Sequence, residues 1–397
     1  MIPLTGRTTT SNWTHPATDV WQVADAAHAE AGHHAVLVRP GEPTPQGAGL
    51  YVTTDPQVAG PGPTLHLPVK LSHVDVGDVL AVTDDGSRVS VVWKASAVHN
   101  SILLTERCDH YCLMCSQPPK ERDDSFLYER ARRIITALPA TARALSLTGG
   151  EPTIDPDAFL GLLRHIAQAA PELSTHILSN GRRFADPQFA HSYASVELRD
   201  VMVGIPLYAA DPSLHDYIVQ AEGAFSETVK GILNLTAAGA SVEIRIVLQK
   251  TNIDHLGETA HFIARNLPFV NQVALMGLEM TGLAKPNQNL VWVDPHHYRA
   301  ELKAAHRILT TAHVPTRIYN HQLCVLEREL WPAAVQSISD WKNAYPVECE
   351  PCVVRDQCAG VFTTSGTRLS AHLEPITRDT NSDRRTLNEK IAQSSRG

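Results

Sequence analysis

Strand-like apolar segments alternate with helical segments from about residue 102 onwards, and this alternation constrains the fold more than any other feature. The strand-like segments are SILLT, ALSLT, THILSNG, VMVGIPLY, VEIRIVLQ and VNQVALMGLE. Strands separated by helices favour a parallel sheet. We therefore predict an α/β fold with an open, partial (β/α) barrel of six units. In such a sheet, functional residues gather at the carboxyl ends of the strands.

Two of the intervening segments have apolar residues at helical spacing, which predicts the faces that they bury. The segment DDSFLYERARRIITAL places Leu127, Ala131, Ile134 and Leu138 on one face. The segment DPDAFLGLLRHIAQAA does the same with Phe159, Leu162, Leu163 and Ile166. We expect these two faces to pack against the sheet.

The chain before and after this region differs in composition. The N-terminal part is rich in Pro and Gly, and its segment GDVLAVTDDGSRVSVVWKA predicts a β-hairpin that turns at Asp84-Asp85-Gly86. A helix is predicted for WPAAVQSISDWKNAY, near the C-terminus. The predicted domains are a small β-rich N-terminal module at 1–97, the partial barrel at 98–289, a cysteine-containing region at 290–365 and a polar tail at 366–397.

Composition excludes several classes of protein. The 397 residues are 43% hydrophobic and 19% charged, as in a globular chain of two or three modules. The formal net charge of -8 argues against nucleic-acid binding, and no apolar run approaches the roughly 20 residues that span a bilayer. The first residues lack a signal-peptide pattern, so we expect a cytoplasmic protein whose thiols stay reduced. Grouped cysteines in that setting are typical of metal sites.

All seven cysteines fall into two groups, and the first has the spacing Cys-x3-Cys-x2-Cys directly after a strand. The first group is Cys108, Cys112 and Cys115, and the second is Cys324, Cys349, Cys352 and Cys358. Three thiolates can hold three irons of a [4Fe–4S] cluster and leave the fourth iron open to a small molecule. The alternative is a zinc ion whose fourth ligand is a nearby histidine such as His110.

Polar residues follow the next strands at their carboxyl ends. Gly149 and Gly150 allow backbone to approach a ligand closely, and the carboxylate of Glu151 can accept hydrogen bonds from an ammonium group. Ser179 and Asn180 end the third strand. Arg245 lies among apolar residues of the fifth strand and requires an anionic partner, either a ligand carboxylate or a structural ion pair inside the barrel.

The cysteine loop and the Gly-Gly-Glu motif together resemble the radical S-adenosylmethionine (SAM) superfamily. The resemblance implies that the amino and carboxylate groups of SAM chelate the open iron. An electron from the cluster then cleaves SAM to methionine and a 5′-deoxyadenosyl radical, which takes a hydrogen atom from the substrate. It further implies that Gly149, Gly150 and Glu151 contact the SAM amino group and that Ser179 and Asn180 lie near SAM. Arg245 is a candidate for the SAM carboxylate. Met114 stands where the superfamily often has an aromatic residue, and we expect it beside the adenine.

The second cysteine group resembles the auxiliary-cluster regions, called twitch or SPASM, of radical SAM peptide maturases. Four thiolates suffice for one closed cluster, so the shorter twitch version fits better. A structural zinc ion held by the same four cysteines is the alternative.

Several segments resemble one subgroup more closely, the HxsC-type radical SAM maturases of His-Xaa-Ser peptide systems. They are LLTERCDHYCLMCSQPPK, LSLTGGEPT, GIPLYAADPSLHDYIV, FSETVKGILNL and LWPAAVQSISDWKNAYPVECEPCVVRDQC. The resemblance implies a ribosomally made precursor peptide with His-Xaa-Ser repeats, a partner radical SAM maturase and an external electron donor. His215-Asp216 also resembles a pair seen in peptide maturases, but loop organisation, with a helix cap and a hydrogen-bonded histidine, is the favoured explanation. Asp340 and Trp341 are candidates for lining a peptide groove.

The leading hypothesis is thus a radical SAM peptide maturase with no nucleic-acid or membrane partner. One alternative is a radical SAM enzyme that acts on a small molecule in cofactor biosynthesis. A second is a non-catalytic iron–sulfur subunit of a separate maturase. The chemical product remains open, because hydroxylation, epimerisation and cross-linking all begin with hydrogen abstraction.

Overall fold

The computed structural model describes residues 4–14, 18–25, 34–42, 44, 48–336, 343–366 and 368–377. The chain forms two compact units. Unit 1 comprises residues 1–105, 123–176 and 196–200, and unit 2 comprises residues 106–122, 177–195 and 201–397.

The N-terminal part of unit 1 is a mixed sheet of eight strands. The strands are β1 (Thr5–Arg7), β2 (Thr9–Ser11), β3 (Val20–Ala24), β4 (His34–Leu37), β5 (Leu50–Thr53), β6 (Thr64–His66), β7 (Val79–Val82) and β8 (Arg88–Trp93). Their order is β1-β8-β7-β3-β4-β5-β6-β2. The core of the sheet includes the buried side chains of Trp21, Leu50 and Leu80. The predicted β-rich character of the N-terminal part is confirmed.

The predicted hairpin is formed by β7 and β8, which pair antiparallel. Gly86 has a φ of +67° in the turn, a conformation that favours glycine. The Asp85 carboxylate accepts hydrogen bonds from Thr83 Oγ1 at 2.6 Å and from the Ser87 N–H at 3.0 Å. These bonds lower the pKa of Asp85 to about 2 and fix the turn geometry.

Unit 1 also contains the first strand–helix units of the barrel. These elements are β9 (Asn100–Leu103), α1 (Phe126–Thr136), β10 (Ala144–Thr148) and α2 (Pro156–Ala169), with β9 and β10 parallel. The predicted buried face of α2 is confirmed. In α1 the buried residues are Tyr128, Ala131, Ile134 and Ile135. Leu127 and Leu138, which the prediction places on the same face, are only partly buried, because Leu138 lies beyond the end of α1 and the buried stripe passes through Tyr128.

Strand β11 (Ser174–Leu178) leads from unit 1 into unit 2, where the strand–helix alternation continues. The other elements there are α3 (Pro187–Ala194), β12 (Val201–Pro206), α4 (Pro212–Val219), α5 (Ala224–Ala237), β13 (Ser241–Leu248), α6 (Leu256–Asn266), β14 (Gln272–Gly277), α7 (Gln288–Val291), α8 (Arg299–Thr311), β15 (Thr316–Tyr319), β16 (Ala334–Val335), β17 (Asn343–Ala344) and β18 (Val361–Phe362). Strands β12 to β16 pair in parallel, each with the next. The α/β partial-barrel class is therefore confirmed, and β15 and β16 extend it beyond the six predicted strands.

Three helices begin with the same dipeptide, Asp-Pro. The carboxylates of Asp155, Asp186 and Asp211 accept hydrogen bonds from backbone N–H groups in the first turns of α2, α3 and α4. The proline that follows each aspartate has no N–H to leave unpaired. These caps define where each helix begins after its strand or loop.

The helix predicted for WPAAVQSISDWKNAY is wrong for the described residues. Residues Arg328–Ala333 form a 3-10 helix that contains Pro332, and Ala334–Val335 then form β16. Proline removes a donor from the helical ladder, which favours this early end. Asp340 and Trp341 lie outside the described residues, as does the tail beyond residue 377. No helix among the described residues is long and apolar enough to cross a membrane.

Candidate functional site

The sulfur atoms of Cys108, Cys112 and Cys115 converge in one loop of unit 2. Burial raises the pKa of Cys112 well above its usual value, and the negative charges of Cys115 and Cys108 raise it further. Burial also raises the pKa of Cys115. The thiols therefore stay neutral unless a cation is present, because a buried thiolate requires a compensating positive charge. Such a donor set suits an iron–sulfur cluster, whose irons bind thiolates.

The middle of this loop is held by the C-terminal end of α4. The Tyr111 N–H donates to the Val219 carbonyl at 3.0 Å, and the Leu113 N–H donates to the Ile218 carbonyl at 2.9 Å. The side chain of Met114 is buried in an apolar cluster that also contains Tyr208. The predicted site residue Met114 thus has an apolar environment in unit 2.

Asp109 anchors the start of the loop to the turn that follows β11. The Asn180 side chain donates from Nδ2 to Asp109 Oδ1 at 2.6 Å, and Arg182 forms an ion pair with Oδ2 at 3.0 Å. Ser179 Oγ accepts a hydrogen bond from the Gly181 N–H at 3.1 Å and so shapes this turn. The structure therefore brings the predicted residues Ser179 and Asn180 together with the cysteine loop.

The end of the loop contacts the segment that precedes α7. The Leu283 N–H donates to the Cys115 carbonyl at 2.8 Å, and Asn287 Nδ2 donates to the Leu113 carbonyl at 2.9 Å. Gly282 has a φ of +52°, and a Cβ at this position would lie 2.2 Å from the Cys115 carbonyl oxygen. Sequence reasoning missed these contacts, as it missed Asp109 and Arg182, because they join segments far apart in the chain.

Two buried histidines accompany the loop, and each has a ring nitrogen without a hydrogen-bond partner among the described residues. These atoms are His110 Nε2 and His215 Nε2. His215 Nδ1 accepts a hydrogen bond from the Tyr208 N–H at 3.2 Å. Burial lowers the pKa of each histidine to about 4, so both rings are neutral at physiological pH. The neighbouring Asp216 caps backbone N–H groups of Gly223 and Phe225, at 2.6 Å and 2.8 Å, which is a structural role.

The Gly149–Glu151 motif lies in unit 1, at the carboxyl end of β10. Gly149 has a φ of +155°, and a Cβ there would lie 2.4 Å from the Thr105 carbonyl oxygen. The Gly150 N–H donates to the same oxygen at 2.8 Å. Glu151 is 2% exposed, and its Oε1 accepts from the Thr153 N–H at 2.8 Å and from Thr153 Oγ1 at 2.6 Å. Both glycines thus allow the backbone after β10 to lie directly against the backbone of Thr105, within unit 1.

Arg245 has the structural ion-pair partner that the sequence left as an alternative. Its NH1 lies 2.8 Å from Oε1 of the buried Glu243, on the same face of β13. Gln272 donates a further hydrogen bond to Glu243. The guanidinium is thus held by a carboxylate of the chain itself.

The second cysteine group also converges in unit 2. Burial raises the pKa of Cys324 to about 11, an increase to which the charges of Cys358 and Cys349 contribute. Burial raises the pKa of Cys349 as well, together with the charges of Cys358 and Cys352. Cys358 Sγ accepts hydrogen bonds from the N–H groups of Leu323 and Gly360, each at 3.4 Å.

The spacing of the sulfur atoms bears on the zinc alternative for both groups. All seven cysteines are described, and in neither group do three sulfur atoms all lie within 4.8 Å of one another. Four thiolates around one zinc ion, at a Zn–S distance of about 2.3 Å, would stand about 3.8 Å apart. At least one pair of sulfur atoms in each group is thus farther apart than two ligands of one zinc ion.

Residues 102–263 match the family model described as the Radical SAM superfamily. The match includes the first cysteine group and every predicted residue of the SAM site. A comparison with curated proteins gave no match.

Solved structures of radical SAM proteins are distantly similar. SuiB of Streptococcus suis bound to S-adenosylmethionine is 17% identical with a TM-score of 0.45, over 56% of this chain and 50% of that chain. The structure of anSMEcpe with bound AdoMet and Cp18Cys peptide is 16% identical with a TM-score of 0.43, over 55% and 62%. A radical SAM methyltransferase from Sphaerobacter thermophilus is 15% identical with a TM-score of 0.41, over 61% and 72%. The chain thus spans about half the length of SuiB.

Proposed function

We propose that this chain is a radical SAM enzyme that modifies a ribosomally made peptide. The observation that supports the enzyme class most directly is the convergence of Cys108, Cys112 and Cys115 in one loop of the segment that matches the radical SAM family model. The residues fit a [4Fe–4S] cluster, because three thiols lie in one loop and leave one corner without a cysteine, and because burial raises the pKa of Cys112 and of Cys115. When bound, the cluster supplies the electron that cleaves SAM to methionine and the 5′-deoxyadenosyl radical.

The residues of the chain position this chemistry. Asp109, Asn180 and Arg182 hold the cysteine loop against the turn after β11. In this proposal Gly149, Gly150 and Glu151 bind the SAM amino group, and the loop residue Met114 packs against the adenine. Arg245 pairs with Glu243 through NH1. The other N–H groups of its guanidinium are the ones that can bind the SAM carboxylate.

The second cysteine group is proposed to hold an auxiliary [4Fe–4S] cluster, as in a twitch region. The mutual electrostatic influence of the four cysteines supports this assignment, because it places their thiols near one another. The hydrogen bonds to Cys358 Sγ stabilise its charged form and thus favour metal binding.

A peptide with His-Xaa-Ser repeats is the proposed substrate, with a partner maturase and an external electron donor in the cytoplasm. The support is the resemblance of five segments, from the cysteine loop to the second cysteine group, to HxsC-type maturases. The N-terminal sheet of β1–β8 is the proposed leader-peptide or partner-binding part, from its position in the chain.

The enzyme class is tested by anaerobic reconstitution of the wild type and of a triple variant in which Cys108, Cys112 and Cys115 are alanine. We expect about eight irons per chain in the wild type and about four in the variant, because each cube contains four. With a reductant and SAM, only the wild type should release 5′-deoxyadenosine. A matched double variant, Cys349→Ala with Cys352→Ala, should lose the other four irons. Equal 5′-deoxyadenosine from the triple variant would contradict the proposal.

The substrate class is tested separately with the reconstituted wild type. The rate of SAM consumption should rise when a His-Xaa-Ser repeat peptide is added and stay unchanged with a scrambled peptide of equal composition. Mass spectrometry of the peptide would identify the modification. Unchanged SAM consumption and an unmodified peptide, in the presence of a candidate partner maturase, would refute the peptide assignment without affecting the enzyme class.

A further inference from the structure

Three histidines of unit 2 converge at a place that the proposed reaction does not use. His296 and His297 precede α8, and His372 belongs to the segment 368–377 near the C-terminus. One ring nitrogen of each histidine lies within 4.8 Å of a ring nitrogen of the other two. No other trio of His, Cys, Asp or Glu residues meets this distance in the part of the chain that the structure describes. The rings of His296 and His372 stack with centroids 3.7 Å apart, and those of His297 and His372 are 5.8 Å apart.

The buried carboxylate of Asp294 holds the two segments together. It accepts hydrogen bonds from Ser370 Oγ at 2.6 Å, from the Ala371 N–H at 3.0 Å and from the His296 N–H at 3.0 Å. This carboxylate thus fixes the backbone before His296 against the segment that contains His372.

His296 already has the protonation state that a metal ligand needs. Its Nε2 contacts NH1 of Arg299, and because arginine only donates, this nitrogen presents a lone pair. Its Nδ1 is buried and has no hydrogen-bond partner among the described residues. In that tautomer Nδ1 carries the proton, so Nε2 is the nitrogen that binds a metal ion once Arg299 moves away.

We propose that His296, His297 and His372 form a binding site for a divalent transition-metal ion such as Zn²⁺. Imidazole nitrogens suit zinc, at about 2.0–2.1 Å in a tetrahedral site whose fourth position is open to water. Ligand nitrogens would then stand about 3.3 Å apart, so modest side-chain rotations close the present spacing. Arg299 must release His296 and turn towards Glu327, whose Oε1 already lies 3.1 Å from its Nε.

A metal ion at this site would fix the segment 368–377, which also reaches the second cysteine group. The backbone N–H of Glu374 lowers the pKa of Cys324 by a hydrogen bond, two residues beyond His372. The Val353 N–H, close in sequence to Cys352, donates to the Ile376 carbonyl at 2.9 Å. The ion would thus tie this segment down beside the auxiliary cysteines, and it stabilises the fold because it binds only the folded arrangement. The site does not depend on the proposed radical chemistry.

The test is a zinc titration of the iron-loaded protein under anaerobic conditions, in competition with a chromophoric chelator. We expect the wild type to bind one zinc ion more per chain than His372→Ala or His297→Ala, or to bind it roughly tenfold or more tightly. His261→Ala, which removes an exposed histidine from α6, is the matched control and should behave as the wild type. Arg299→Ala should bind zinc roughly threefold to fivefold more tightly, because it removes a competing cation near the surface.

X-ray absorption at the zinc edge separates this site from zinc at the cysteines. We expect nitrogen neighbours with the outer-shell scattering of imidazole in the wild type and no sulfur. Zinc stoichiometry and affinity in His372→Ala and His297→Ala that equal the wild type would overturn the proposal. Sulfur neighbours, or an equal loss of zinc in His261→Ala, would overturn it as well. Circular dichroism and iron content of each variant show that the fold is retained.

Discussion

Replacing Gly282 with alanine should displace the cysteine loop, because this glycine lies directly against the backbone of Cys115. A Cβ at residue 282 would stand 2.2 Å from the Cys115 carbonyl oxygen and 2.6 Å from that of Ser116. Both atoms belong to the backbone, so neither can rotate away. The neighbouring N–H of Leu283 donates to the same Cys115 oxygen at 2.8 Å. Any movement that relieves the overlap therefore also weakens this hydrogen bond.

The expected cost combines two unfavourable contributions and one favourable contribution. A non-glycine residue at a φ of +52° costs roughly 1–2 kcal/mol. Loss of the hydrogen bond to Cys115 costs roughly 0.5–1.5 kcal/mol. Alanine also lowers the conformational entropy of the unfolded chain, which stabilises the folded protein by roughly 0.4–1 kcal/mol. The net penalty is about 0.5–3 kcal/mol, which lowers the population of the cluster-binding loop conformation by a factor of about two to about a hundred.

The assay is iron per chain after anaerobic reconstitution at limiting iron, with SAM affinity as a second measurement. Substitutions of two other glycines distinguish backbone strain from the steric overlap with Cys115. Gly223 has a φ of +75° but open space around its Cβ position, so Gly223→Ala carries only the backbone strain. Gly257 lies in α6 with open space, so Gly257→Ala should be neutral or slightly stabilising. Full iron content in Gly282→Ala, or a loss no greater than that of Gly223→Ala, would show that the overlap with the Cys115 backbone does not displace the cysteine loop.

Two further predictions concern the thiol sites. Asp109→Ala removes one of the two carboxylates that pair with Arg182, the other being Glu227, and should weaken cluster retention by about 0.5–1 kcal/mol, with less salt dependence than the wild type. Glu172→Ala, which breaks the exposed pair with Arg199, should change neither cluster retention nor its salt dependence. If the iron content of the wild type and of Asp109→Ala responds identically to salt, the Asp109–Arg182 ion pair does not stabilise the cluster-binding loop. The raised pKa of Cys324 should stabilise the iron-free protein below about pH 9, a contribution that is lost as the pH rises from 9 towards about 11. Melting temperatures between pH 8 and 11 should fall less steeply for Cys324→Ser, and parallel curves would exclude this thiol as the cause.

The sequence alone determined the strands and helices of the barrel and indicated the proposed chemistry of the first cysteine loop. Strand and helix periods are local properties, so β9 to β14 and the buried face of α2 could be predicted from alternation and spacing. The spacing of Cys108, Cys112 and Cys115 is local as well, and it indicated three thiolates with an open fourth position. Local patterns failed where they were weak: the buried stripe of α1 passes through Tyr128 and Ile135, and Pro332 ends the predicted C-terminal helix.

Only the tertiary structure decided which distant residues hold the cysteine loop, Arg245 and the histidines in place. Asp109 meets Asn180 across 71 residues of sequence, and the Arg245 partner proved to be the carboxylate of Glu243. The histidine trio joins residues 296 and 372, a pairing without any spacing signal in the chain. Contacts between distant segments depend on the packing of whole strands and helices, and no local period encodes that packing. The sequence thus specified which atoms do the proposed chemistry, and the fold specified which residues hold them in place.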